Sequence, residues 1–396
     1  SNNNKVINNN NTQSKLIEQL VEATRIGLCS KVRQILDLGV NPNATNSSGI
    51  YPLMQAVKNK KFNTTKLLLD RGANPNYLPK ENKESPLIIA CQLGLEEITR
   101  LLIAHGANIN YTFGFENPIL NSFESRKYNI VKILLENNVE VNCIGYQNLT
   151  PLLHALEHRQ WDLASIIVDK GANVNVSGGY DVIPLIEASY SGNLELVTKI
   201  FQAGASINYS IENNMTPICM AAQYGFTHIV EFLLKSGSHV NKIETCNFLP
   251  AQLAARGGHL DTLKLLVTHG ADLNSSDSDY NDPDNNVGNI PIIGACRKGH
   301  LDVVKYILEQ GVNINVQDGN GITPLMTAII YQHFELVVFL LLNGASIDIE
   351  NNKLLEVINY KLGIEGLDIS PDGSELWVAN RNDNTVTVTN TFTLET

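Results

Sequence analysis

Several things are scarce in this chain, and each scarcity removes a class of protein. Long apolar runs are missing: none of the 396 residues belongs to a stretch of the roughly 18 apolar residues needed to span a bilayer, so no membrane partner is expected. Positive charge is short, with 29 Lys and Arg against 40 Asp and Glu and a net charge of −11. A nucleic-acid partner is therefore not expected either, because phosphate neutralisation needs clustered cations. Aromatics make up only 7%, as suits a core of small and aliphatic side chains. The six cysteines, Cys29, Cys91, Cys143, Cys219, Cys246 and Cys296, show no CxxC spacing and read as reduced core thiols, which places the chain in the cytoplasm. Catalytic signatures of the HExxH, GxSxG, Walker and GxGxxG kinds are absent, and acidic pairs such as Glu96 and Glu97 read as a solvated helix face. No enzyme, no cofactor and no metal site is expected.

What the chain has in plenty is recurrence. Proline returns at Pro52, Pro86, Pro118, Pro151, Pro184, Pro217, Pro250, Pro291 and Pro324, with a step of 33 residues in most intervals. Four positions after each stands Ala or Ser, at Ala56, Ala90, Ser122, Ala155, Ala188, Ala221, Ala254, Ala295 and Ala328. Twenty positions after each stands Gly72, Gly106, Asn138, Gly171, Gly204, Gly237, Gly270, Gly311 or Gly344. A fixed period outranks length as a guide to architecture and points to one elongated array.

The stretch from Thr216 to Asn241 shows what one period encodes. Thr216 can cap a helix that opens with Pro217, where the missing N–H costs nothing. Ala221 and Ala222 allow a neighbouring helix to approach closely. Gly225 ends that helix, and Ile229, Val230, Leu233 and Leu234 follow helical spacing in a second one closed by Gly237. Three residues before several prolines stand Gly49, Asn148, Asn214, Asn247 and Gly321, types that tolerate a left-handed backbone.

The pattern TPLxxA, a helix break, a VxxLL-like run and GAxxN resembles the ankyrin repeat over about residues 15 to 350, most closely at Thr150 to Asn175 and Gly299 to Asn315. About ten repeats are predicted. The first, near Lys15 to Asn43, lacks the proline but keeps Ala23 and Gly39, as a capping repeat would. The family's usual His two positions past the proline is replaced by Met54, Ile88, Leu153, Ile186 or Cys219. The resemblance implies an all-α ankyrin-repeat solenoid with short β-hairpin fingers over residues 15–362. The Asn-rich text also resembles ankyrin proteins of giant viruses, amoebae and intracellular bacteria, many of which act on host partners. It implies a monomeric interaction module for a protein partner of unknown identity, in the intracellular space and in that setting a host-directed effector; the alternative is a substrate-recognition adaptor of a ubiquitin ligase or another enzyme complex.

The beat fails in three places. Residues 1–14 are Asn-rich and read as a disordered leader. Between Asn274 and Pro291 the usual nine-residue spacing becomes seventeen, and residues 275–289 read as a solvated hairpin extension. Asp277, Asp279 and Asn281 alternate there like a calcium loop, but Asp282 and Gly288 occupy the places of its Gly and Glu. After a helix predicted near Asn352 to Lys361, residues 363–396 turn into a β-hairpin-like tail with strands at Glu375 to Asn380 and Thr385 to Asn390, resembling one YVTN-type β-propeller repeat.

Repetition also separates scaffold from candidate function. His259, His300 and His333 lie nine residues past their prolines and His105 and His269 nineteen, so these five read as structural. In arrays of the resembled kind the recognition face is built from the first helix, mainly three and six positions past the proline, and from the fingers. Those positions give Asn121, Glu124, His154, Glu157, Glu187, Tyr190 and Gln223 as candidate partner-binding residues, with Tyr146, Tyr180 and Tyr209 from the fingers. Tyrosines among carboxylates suit polar recognition, because Tyr offers contact area and a hydrogen bond at low entropy cost. Arg256 and Arg297 hold the same helix position later in the chain, so the charge along this set changes sign.

Overall fold

The computed structural model describes residues 2–78, 84–178, 182–209, 215–241, 249–274, 290–346, 364–369, 375–380 and 385–390. In chain order these form α1 (Asn2–Ile26), α2 (Cys29–Asp37), α3 (Pro52–Lys58), α4 (Phe62–Asp70), α5 (Pro86–Leu93), α6 (Glu96–Ala104), α7 (Pro118–Glu124), α8 (Tyr128–Glu136), α9 (Pro151–Glu157) and α10 (Trp161–Asp169). They continue with α11 (Pro184–Ser191), α12 (Leu194–Gln202), α13 (Pro217–Gln223), α14 (Thr227–Lys235), α15 (Pro250–Gly257), α16 (Leu260–Thr268), α17 (Pro291–Lys298), α18 (Leu301–Glu309), α19 (Pro324–Ile330) and α20 (Phe334–Leu342). Three strands close the list, β1 (Ile364–Ile369), β2 (Glu375–Asn380) and β3 (Thr385–Asn390). Two compact units divide the chain, one within residues 1–184 and 202–204, the other within residues 185–201 and 205–396.

Each helix pair is made the same way. The proline occupies the first turn of all nine first helices from α3 to α19. Side chains of Ser85, Asn117, Thr150, Thr216 and Thr323 accept a hydrogen bond from the exposed N–H groups of the turn that follows. Leu249 has no such side chain; its own N–H instead donates to Gln252 Oε1 at 2.8 Å. The residue four past each proline is fully buried in every pair, so the helices close up where only Ala or Ser fits. Its carbonyl accepts the N–H five residues on, as at Ala254 from His259 (2.9 Å) and Ala295 from His300 (3.1 Å), which turns the chain into the second helix. Ala23 and Leu28 repeat that bond at 2.9 Å, which puts α1 in the common register without a proline.

Within each unit, first helices pack on first helices and second on second: α3, α5, α7 and α9 in one, α13, α15, α17 and α19 in the other. Gly72, Gly106, Gly237, Gly270 and Gly311 end second helices with φ between 82° and 97°, and Asn138 does so at φ 58°. The left-handed residues predicted before the prolines are there as well, at Gly49, Asn148 and Gly321.

Three expectations change. The segment taken as a disordered leader is helical from Asn2, so the boundary at residue 14 falls inside α1; Asn costs a helix only a few tenths of a kcal/mol per residue, and extending a packed helix needs no new nucleus. Among the described residues, the fingers show two isolated backbone bridges, Phe113 with Glu116 and Gly178 with Val182, in place of hairpin ladders. Their geometry comes from side chains: Asn46 Oδ1 accepts from Ser48 N and Ile50 N, and Asp318 Oδ1 from Asn320 N and Ile322 N. The tail is a three-stranded antiparallel sheet in the order β1-β2-β3, with β2 and β3 at the predicted bounds and β1 unforeseen. The insertion at 275–289, the helix near Asn352 and Tyr180 lie outside the described residues. No helix of the described residues is long and apolar enough to cross a membrane.

Candidate functional site

The repeated histidines fix the frame on which the variable positions sit. His259 Nε2 lies 3.0 Å from the carbonyl of Gln223, His300 Nε2 3.2 Å from that of Arg256, and His333 Nε2 3.0 Å from that of Arg297. A carbonyl only accepts, so Nε2 carries the proton and donates in all three. The same rings cover Gly225, Gly258 and Gly299, where a Cβ would stand only 2.4 to 2.6 Å from a ring atom. His105 and His269 share the other offset and one contact, Nδ1 to the carbonyl four residues back at 2.9 Å. These five belong to the scaffold.

A second scaffold device was not foreseen. Twenty-four residues past the proline, Asn76 Nδ2 donates to the carbonyl of Gly106 (2.8 Å) while its Oδ1 accepts from Asn108 N (2.6 Å). Asn142 joins Gly171 and Asn173 in the same way, Asn208 joins Gly237 and His239, and Asn241 joins Gly270 and Asp272. At these four places one amide thus ties a repeat to the next. The signal stood in the final Asn of GAxxN, masked by the Asn-rich background.

Against this frame the candidate positions sort by exposure. Six past the proline, Glu124, Glu157 and Gln223 are exposed while their backbones stay in the first helices. Partial burial and the neighbouring carboxylate of Glu116 push Glu124 above the usual carboxylate range. In the fingers Tyr146 is 62% and Tyr209 50% exposed, and Phe115 meets Tyr146 edge-on at 6.1 Å. Glu187 and Tyr190 are half-buried, and Tyr190 packs edge-on against Tyr224 at 5.0 Å. Tyr224, seven past its proline and 43% exposed, is an aromatic that the three-and-six rule passes over.

Two candidates are corrected. Asn121 is 4% exposed, and its amide is engaged at both ends, accepting from Asn117 N at 2.8 Å and donating to Glu116. It offers a partner no free polar group. His154 is 5% exposed and stacks on Phe123, with ring centroids 5.7 Å apart and planes 7° from parallel. Burial, with His158 beside it, pushes its imidazole down to about 4, so it is neutral at physiological pH. The position three past the proline is turned inward at both residues, which explains why the sequence rule overreaches there.

A family model described as ankyrin repeats (3 copies) matches residues 20–113, 185–277 and 278–351, more than half of the chain. None of the curated proteins searched matches it.

Proposed function

The chain belongs to the ankyrin-repeat family, and on that premise we propose that it binds another protein through the exposed first-helix and finger side chains of its repeats. Ankyrin repeats are generally protein–protein interaction modules, and the ten helix pairs are read as ten repeats over residues 15–362. One observation carries the proposal. Positions +4, +8, +9, +20 and +24 from the proline are taken up by packing, turns and inter-repeat bonds, whereas +6 is exposed and chemically free to vary at Glu124, Glu157 and Gln223. Variation confined to one structural position is what a recognition surface needs on a repeating frame.

The chemistry of the set suggests the partner. Glu124 and Glu157 in the first unit suit a basic segment, and Arg256 with Arg297 in the second suit an acidic one. The resemblance to ankyrin proteins of viruses and intracellular bacteria favours a host protein, and the propeller-like tail at 363–396 is read as an appended element separate from this surface. Crosslinking capture with the full chain tests the reading. A Glu124→Lys, Gln223→Lys double variant is expected to lose the proteins that the wild type captures, while Glu96→Lys with Glu195→Lys, on second helices, keeps them. Equal capture by both variants contradicts the assignment.

A further inference from the structure

The structure assigns a divalent transition-metal site of the zinc class to His154, Glu157 and His158. The three residues sit at i, i+3 and i+4 at the end of α9, the spacing that puts side chains on one helix face. One ligand atom from each can be chosen so that all lie within 4.8 Å of one another. His154 is buried, yet neither of its ring nitrogens meets a hydrogen-bond partner, and Nδ1 of His158 has none either. Buried polar atoms without partners cost free energy, so each is a feature that asks for an occupant.

The surroundings make these groups ligands in waiting. Phe123 holds the His154 ring flat against its own face, and the His158 ring lies 5.8 Å from it and 6.1 Å from Tyr128, centroid to centroid. The aromatic wall fixes the rings without consuming their nitrogens. Glu157 is exposed, which gives a cation a path from solvent and a carboxylate to meet it. Two neutral imidazoles and one carboxylate form a borderline nitrogen and oxygen set that suits Zn²⁺ and leaves room for a further ligand in a tetrahedral site.

Among the described residues, none of the histidines at +9 and +19 belongs to a comparable group of three ligand side chains. The pattern was legible in His154-Ala-Leu-Glu157-His158, but a search for HExxH reads past the reversed order.

Titration of the full, chelator-treated chain with ZnCl₂, followed by calorimetry and repeated with Co²⁺ to read its absorption spectrum, tests the site. The wild type is expected to bind one tight equivalent, gain thermal stability from it, and give the intense visible bands of four-coordinate Co²⁺. His158→Gln and Glu157→Gln are each expected to weaken binding by on the order of 100-fold. His154→Phe keeps an aromatic ring on Phe123; in chelator it is expected to melt no lower than the wild type, and Zn²⁺ is expected to leave its melting unchanged. Zn²⁺ binding by His154→Phe and His158→Gln at the wild-type affinity, or no saturable binding by the wild type, overturns the site.

Discussion

At Gly258 the backbone takes φ +75°, and the nearest ring atoms of His300 lie 2.6 Å from where a Cβ would be. Two separate demands therefore fall on one residue: a left-handed conformation and room for the next repeat's imidazole. Gly311, with φ +85° and open space around it, faces the first demand alone. Gly311→Ala is expected to cost about 1 kcal/mol, the left-handed penalty of a Cβ, and Gly258→Ala about 2–3 kcal/mol. Urea midpoints measure both, and adding His300→Ala to Gly258→Ala should return the contact part while leaving the backbone part. Thiols give a second test at this scale. Burial pushes Cys91 up to about 12 and raises Cys296 as well, so both are expected to stay unlabelled by a thiol reagent at pH 8 until the chain unfolds. Prompt labelling of the folded chain would contradict their place in the core.

An element in this protein is a helix pair plus the amide that ties it to the next. Asn76→Ala removes a donor to Gly106 and an acceptor for Asn108, at an expected cost of about 1–2 kcal/mol in the denaturation midpoint. Asn76→Asp keeps the acceptor and should recover part of that loss; a wild-type midpoint in both variants would mean the bridge contributes nothing. The helix pairs were readable because proline, alanine and glycine each answer a local need that sequence spells out: a first turn, a close approach, a left-handed end. Burial at the +3 position was harder to read. Asn121 and His154 occupy a site that looks like surface in a pattern, and only the packing of Phe123 and the bond from Asn117 turn them inward. Strand β1 was missed for a comparable reason, since Gly366 interrupts its apolar alternation and marks the register shift between Ile364 and Gly366.

For the whole molecule, stability that accumulates from neighbour to neighbour means that one bad interface breaks the array locally. Ala221 is fully buried where α13 packs on α15, so Ala221→Arg is expected to cost more than about 3 kcal/mol and to lower the melting temperature; an unchanged transition would overturn the register itself. The same register leaves Glu124, Glu157, Gln223, Tyr146 and Tyr209 exposed while committing the positions around them, and that is the surface proposed for recognition. Hydrogen–deuterium exchange of the full chain, with and without a captured protein, tests that claim most directly. Protection is expected at Glu124, Tyr146, Glu157, Tyr209 and Gln223 and their flanking backbone. Protection confined to the second helices or to β1, β2 and β3 would contradict it.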